Sequence, residues 1–130
     1  MDLNGEKFNT IDTNLSSVYY ITTTNDMIYY TDQGNNTVHC CSIHGQEIWV
    51  FKDQSISQPR GISVDYEQNV FVSCESSNNL TLIHHDGKDS KVLLTDQDEL
   101  DKPGAVYYCK EKKIVCLGYK KGSVAIYQVS

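Results

Sequence analysis

The feature that most limits how this chain can fold is an internal repeat. Ile28-Tyr29-Tyr30-Thr31, Val70-Phe71-Val72-Ser73 and Ile114-Val115-Cys116-Leu117 are short apolar runs, and successive runs begin 42 and 44 residues apart. Two further markers keep the step. Gln58-Pro59-Arg60-Gly61-Ile62 answers to Asp101-Lys102-Pro103-Gly104-Ala105, with 43 residues from Gly61 to Gly104, and His44-Gly45 answers to Asp86-Gly87 at 42. A period of this length marks one supersecondary unit stacked on copies of itself.

The middle copy shows what the unit contains. Ile62-Ser63-Val64-Asp65 alternates, Tyr66 to Asn69 turns, and Val70-Phe71-Val72-Ser73 forms a second apolar run. Glu75 to Asn79 is a polar loop, Leu80-Thr81-Leu82-Ile83-His84 a third strand, Asp86-Gly87 a hairpin turn and Lys91-Val92-Leu93-Leu94 a fourth strand. The acidic linker that follows, Asp96 to Lys102, has room for one helical turn at most. Nine tyrosines, many beside Val or Ile, suit half-buried pleated surfaces. Four strands in 40 to 45 residues is the signature of a propeller blade, a small sheet that must bury both faces against neighbours. The chain is therefore expected to be all-β, with about three β-propeller blades of four-stranded antiparallel sheet. Residues 1–17 hold an N-terminal strand, 18–60 blade 1, 61–104 blade 2 and 105–130 an incomplete blade 3.

The middle copy resembles the NHL repeat. Gln58-Pro59-Arg60-Gly61-Ile62-Ser63-Val64-Asp65, Asn69-Val70-Phe71-Val72-Ser73 and Asp86-Gly87 follow its order of a Pro-x-Gly-Ile-x-Val-Asp strand, an apolar strand and an Asp-Gly turn. The resemblance spans residues 18–130. The first copy departs from it with Ser16-Ser17 in place of Pro-Gly but keeps Asp32, where the second has Cys74 and the third Gly118. The texture is similar to the C-terminal region of invertebrate tripartite-motif proteins, many of which are ubiquitin ligases. The resemblance implies a protein-interaction module, such as the substrate-recognition part of such a ligase. These 130 residues contain no RING or B-box spacing.

Three blades cannot close a ring, and the resemblance to NHL repeats implies six, so that these blades are expected to be half of a six-bladed ring. The third copy ends after three strands, near Ala105–Cys109, Ile114–Leu117 and Ser123–Val129, while Glu6 to Asp12 reads as a spare strand. Two arrangements complete the ring: further blades from an upstream segment, or a homodimer in which each N-terminal strand completes the other chain's last blade.

Charge and residue pattern bear on function. The formal net charge of −6 opposes the long-range field that nucleic acid attracts. The loops between second and third strands share one rim with the linkers between blades. There Asp32, Asp53, Glu75, Asp96, Asp98, Glu99 and Asp101 face Arg60, Lys102, Lys120 and Lys121, a balance of −3. RNA binding, which some NHL domains achieve with a positive version of this rim, is disfavoured. Binding residues concentrate on loops of rigid scaffolds, so the candidates are Arg60, Asn35, Asn36, Asn78, Tyr119, Lys120 and Lys121, with Arg60 and Tyr119 as anchor types.

Enzymatic readings lack convergent residues. No serine lies in Gly-x-Ser-x-Gly and no Gly-rich phosphate loop is present. Six-bladed metal-dependent hydrolases and lyases place carboxylates at the channel mouth. Asp65 is the one candidate for that place, because Tyr108 and Thr23 stand at the aligned positions, and it reads instead as a strand-end residue bonding a turn amide. Consecutive strand residues His84 and His85 point to opposite faces and cannot share an ion. No metal or cofactor is expected, and the chain is expected not to be an enzyme. Cys40, Cys41, Cys74, Cys109 and Cys116 show no C-x-x-C spacing, and an odd count suits reduced thiols and a cytoplasmic location. No segment is apolar and long enough to span a membrane or to serve as a signal peptide. The sequons at Asn14, Asn35 and Asn79 are then chance matches.

Overall fold

A computed structural model describes residues 4–13, 15, 17–24 and 26–129. Ser16 of the expected Ser16-Ser17 pair, and Asn14 with Ser16 of the first sequon, lie outside the described residues. Among the described residues, eleven strands form three antiparallel sheets. The first sheet is β1 (Val18–Thr23), β2 (Met27–Asp32), β3 (Thr37–Ser42) and β4 (Glu47–Phe51), in that order. The second is β5 (Pro59–Val64), β6 (Val70–Cys74), β7 (Asn79–Ile83) and β8 (Ser90–Leu94), also in order. The third contains β9 (Pro103–Cys109), β10 (Ile114–Tyr119) and β11 (Val124–Gln128), with β11 at an edge. Proline opens both β5 and β9, a strand position where its missing N–H is tolerated.

The sheets stack face to face through two apolar layers. Tyr29, Val38, Cys40 and Phe51 of the first sheet meet Ile62, Val64, Val70, Val72, Cys74 and Ile83 of the second. Phe71 and Leu80, on the opposite face of the second sheet, meet Val115 and Leu117 of the third. The pleat explains this division, since alternate residues of β6 serve different interfaces. Each linker adds one apolar anchor, Ile56 in the first layer and Leu100 in the second, 44 residues apart. The expected single helical turn is a 3-10 turn at Asp96–Asp98 with a capping box, in which the Gln97 amide donates to Thr95 Oγ1 and the Thr95 amide donates to the Asp98 carboxylate.

The layers also share a repeated set of hydrogen bonds. Asn36 and Asn78 both hold positive φ, 56° and 50°, in the turn before the third strand. Asn36 Oδ1 accepts from the Gln58 amide at 2.8 Å and Asn78 Oδ1 from the Lys102 amide at 2.7 Å, so each turn is tied to the entry of the next sheet. Thr31 Oγ1 donates to the Arg60 carbonyl at 2.8 Å, and Ser73 Oγ donates likewise to the Gly104 carbonyl. Gly61 admits the third sheet at this point, because a Cβ there would lie 2.7 Å from the Val106 nitrogen and 2.9 Å from the Ala105 Cα.

Three expectations need correction. Residues 6–12 join no sheet. Phe8 and Ile11 are three apart and cannot share one face of a strand. The segment instead lies against the β3–β4 end of the first sheet: Asn9 Nδ2 donates to the Ile43 carbonyl at 3.2 Å, and the Phe8 ring is 6.0 Å from that of His44. Secondly, β7 ends at Ile83, so strand alternation does not govern the two histidines that follow. The rings of His84 and His85 lie side by side, 4.4 Å apart. Thirdly, the third copy slips by one residue. Val64 pairs with Val70 around a five-residue turn, whereas the matching pair Tyr108 and Val115 encloses six. Tyr119, rather than Gly118, therefore takes the place of Asp32 and Cys74, and each of the three pairs with the start of its first strand.

Candidate functional site

The seven expected rim residues separate into two groups. Asn36 and Asn78 are committed to the neighbouring sheets, and Asn35 Nδ2 donates to the buried Asp32 carboxylate at 2.6 Å. These amides shape turns. Arg60, Tyr119 and Lys120 instead line one open cleft of about 300 Å³, with Glu75, Lys102, Gly104, Ala105 and Gly118. Lys121 is not a lining residue; it pairs with Asp101 at 3.2 Å and lies 6.0 Å from the Tyr119 ring centre.

The cleft exists because the first strands β5 and β9 enter side by side from the rim, with glycines 104 and 118 keeping its floor low. Across it runs a polar chain that touches all three sheets. Arg60 Nη2 donates to the Tyr20 hydroxyl at 3.0 Å, with the guanidinium carbon 5.6 Å from the Tyr20 ring centre. Arg60 Nη1 meets Glu75 Oε2 at 2.7 Å, and Lys120 Nζ meets Glu75 Oε1 at 3.2 Å. Burial raises the Glu75 carboxyl, but Lys120 and Arg60 together outweigh it and hold the group below its ordinary value. The Tyr20 hydroxyl, then Glu75, hold Arg60 above its ordinary value. Burial and the Tyr127 hydroxyl at 2.9 Å raise the Tyr119 phenol, and Tyr127 donates onward to the Asp98 carbonyl at 2.8 Å. Tyr119 is thus a fixed wall rather than a mobile side chain.

Arg60, Lys102 and Lys120 stand against Glu75 alone, so the cleft is locally positive on an acidic rim. The linear charge balance missed this, because it could not show that Asp53, Asp96 and Asp98 stand outside the cleft lining. Glu75, which holds both cations, was among the rim charges but carried no signal of its central position.

The other candidate chemistries are placed elsewhere. Asp65 Oδ1 accepts from the Glu67 and Asn69 amides, both at 2.9 Å, as a strand-end residue bonding a turn. Among the described residues no three His, Cys, Asp or Glu side chains converge as metal ligands. His84 and His85 sit on the opposite rim, with His84 Nδ1 3.4 Å from Asp86. Cys40, Cys41 and Cys74 are buried free thiols, and burial pushes Cys40 up to about 11 and Cys74 up to about 12. No described helix is long and apolar enough to cross a membrane.

No family model and no curated protein sequence matches the chain. Solved structures do. A chain of the nidogen/laminin complex superposes with a TM-score of 0.72 at 16% identity, covering 84% of this chain and 43% of that one. Streptogramin B lyase gives 0.63 at 14% identity, covering 86% of this chain and 40% of the lyase. The Pan2 WD40 domain of Neurospora crassa gives 0.66 at 17%, covering 83% and 31%. The chain is therefore a set of β-propeller blades, spanning less than half the length of these three. At such identity the likeness establishes the fold and no activity.

Proposed function

We propose that the chain is a non-enzymatic protein-interaction module whose partner is anchored in the cleft of Arg60, Tyr119 and Lys120. The observation that carries this reading is their convergence from two sheets. Arg60 near the start of β5 and Tyr119 at the end of β10 stand on strands, with Lys120 in the turn that follows, so the sheets hold an aromatic wall beside two cations. Such a cleft fits an acidic or carboxamide side chain of a partner, flanked by an apolar contact with Tyr119. The finer reading, substrate selection for a ubiquitin ligase in a reducing, cytoplasmic setting, is supported by the resemblance to NHL repeats of tripartite-motif proteins.

A second reading follows from the same positive cleft. Arg60, Lys102 and Lys120 could track the phosphates of single-stranded RNA, although Glu75 and the net charge of −6 oppose it. Affinity capture with wild-type, Lys120→Ala and Arg60→Ala proteins separates the two, with thermal melts confirming that each variant is folded. A protein partner retained by the wild type and lost by both variants is the expected result. Identical partner sets would remove the cleft from the proposal. Retention of a short RNA pool at low salt, lost as salt rises, would favour the RNA reading.

A further inference from the structure

On the reading of this cleft as a protein-binding site, we infer that Glu75 stands, in the free protein, where a partner's carboxylate binds. The cleft then takes an acidic peptide segment by exchange, and Glu75 limits how tightly that segment is held.

Three equivalent positions show that the blade itself does not need this carboxylate. Gln33, Glu75 and Lys120 each follow the second strand of their sheet, and each is fixed by the same backbone bond. Their amides donate to the carbonyls of Ser17, Gln58 and Lys102 at 3.3, 3.1 and 3.1 Å. That bond is independent of side-chain type, so a neutral, an acidic and a basic residue all fit. What Glu75 does is hold cations: Oε2 accepts from Arg60 Nη1 at 2.7 Å and Oε1 meets Lys120 Nζ at 3.2 Å.

Both contacts are of a kind that an incoming carboxylate can replace. Arg60 presents one nitrogen to Glu75 rather than the two of a carboxylate fork, and Nη2 goes to the Tyr20 hydroxyl. Its buried Nε has no hydrogen-bond partner among the described residues. A guanidinium with an unanswered donor gains by turning to a ligand that takes two. The Lys120 side chain is 68% exposed against 12% for Glu75, so its ammonium can leave the pair without disturbing packing. The resting contact thus has the form of a bound complex, and the charge of Glu75 opposes the arrival of another carboxylate. A peptide suits this exchange better than a polyphosphate does. It can bring one carboxylate beside an apolar residue for Tyr119, whereas a net charge of −6 repels a chain of phosphates.

Two measurements on the whole chain test the exchange. The first is fluorescence anisotropy with a labelled peptide of alternating glutamate and leucine. Glu75→Gln gives the second sheet the residue type that the first has at this place, and is expected to bind the peptide about tenfold more tightly than the wild type. A peptide with glutamine in place of glutamate is expected to lose this gain. If Arg60→Ala and Lys120→Ala bind as the wild type does, or nothing binds, the reading of the cleft fails and the exchange with it. Equal or weaker binding by Glu75→Gln, with both alanine variants impaired, would keep the cleft but overturn the exchange, making Glu75 a support for its cations. Tightening toward an adenine hexanucleotide and not toward the peptide would overturn it as well. The second measurement is carbodiimide coupling of the wild type, read by mass spectrometry. Glu75 is expected to link to Lys120 in the free protein, and saturating peptide to replace that link with one between itself and Lys120. The Lys121–Asp101 pair, also at 3.2 Å but outside the cleft lining, should link equally in both states. A Glu75–Lys120 link undiminished by the peptide would overturn the inference.

Discussion

Asn78 ties the second sheet to the linker that enters the third. Its oxygen accepts from the Lys102 amide and its amide donates to the Leu100 carbonyl at 3.0 Å, while its backbone holds a φ that asparagine tolerates better than most residues. Asn78→Ala loses both bonds and strains the turn, and should destabilise the chain by about 1–3 kcal/mol in urea titrations. Asn78→Gly keeps the turn and should cost less. His39 provides a pH-dependent contrast. Burial lowers its pKa, and its ring stacks on Tyr30 at 4.9 Å with Nε2 2.8 Å from the Thr37 hydroxyl. A histidine depressed in the folded state stays neutral there while the unfolded chain takes up a proton. Its contribution is therefore complete above about pH 6.5 and falls as pH drops below that. The midpoint of denaturation should decline on acidification through this range, and His39→Gln should flatten the slope. A slope identical in the variant would assign the acid sensitivity to the carboxylates instead.

At the scale of strands and turns, the repeat made most of the fold legible. Every expected strand of the three blades is present, because β-branched and aromatic runs bounded by Asn, Gly and Asp leave few alternatives. The misjudged places are those where local pattern and packing differ. Glu6 to Asp12 has strand-like composition but no ladder partner among the described residues, and the one-residue slip in the third copy comes from a longer turn that apolar matching cannot see. The cleft was half legible: Arg60, Tyr119 and Lys120 were identifiable as anchors on a rim, but only folding separates them from Asn36 and Asn78, whose side chains bind backbone. Close packing between elements yields another expectation. The Gly87 backbone has φ 73° and lies under Trp49, whose Cβ is 2.9 Å from where a side chain would begin, with the indole Cγ and Cδ2 closer still. Gly87→Ala should destabilise by about 2–4 kcal/mol and shift the emission of Trp49, the single tryptophan.

Across the molecule, the two apolar layers each join one pair of neighbouring sheets, so they need not melt together. Among the described residues the first contains eleven buried side chains and the second five, with the remainder of the second only partly covered. The third sheet should therefore loosen first. Far-ultraviolet circular dichroism is expected to begin changing at lower urea than Trp49 fluorescence, which reports the first layer; superimposed curves would mean that the stack unfolds as one unit. Thiol chemistry should follow the same gradient. Cys109 and Cys116 of the third sheet are partly exposed and should alkylate in the native state, while Cys40 and Cys74 should react only on unfolding, as mass spectrometry of labelled peptides can show.

The open side of the third sheet differs from the corresponding sides of the other two in one further respect. Gly118 stands where Thr31 and Ser73 donate to the next sheet, and Gly122, with φ 102°, stands where Asn36 and Asn78 accept from it. Both polar ties are replaced by hydrogen atoms. A blade packed on this side would be held mainly by apolar contact, so its association would carry a large negative heat-capacity change and weaken on cooling. A joint of this kind is tighter at 25 °C than on ice, the reverse of what hydrogen-bond-driven assembly shows.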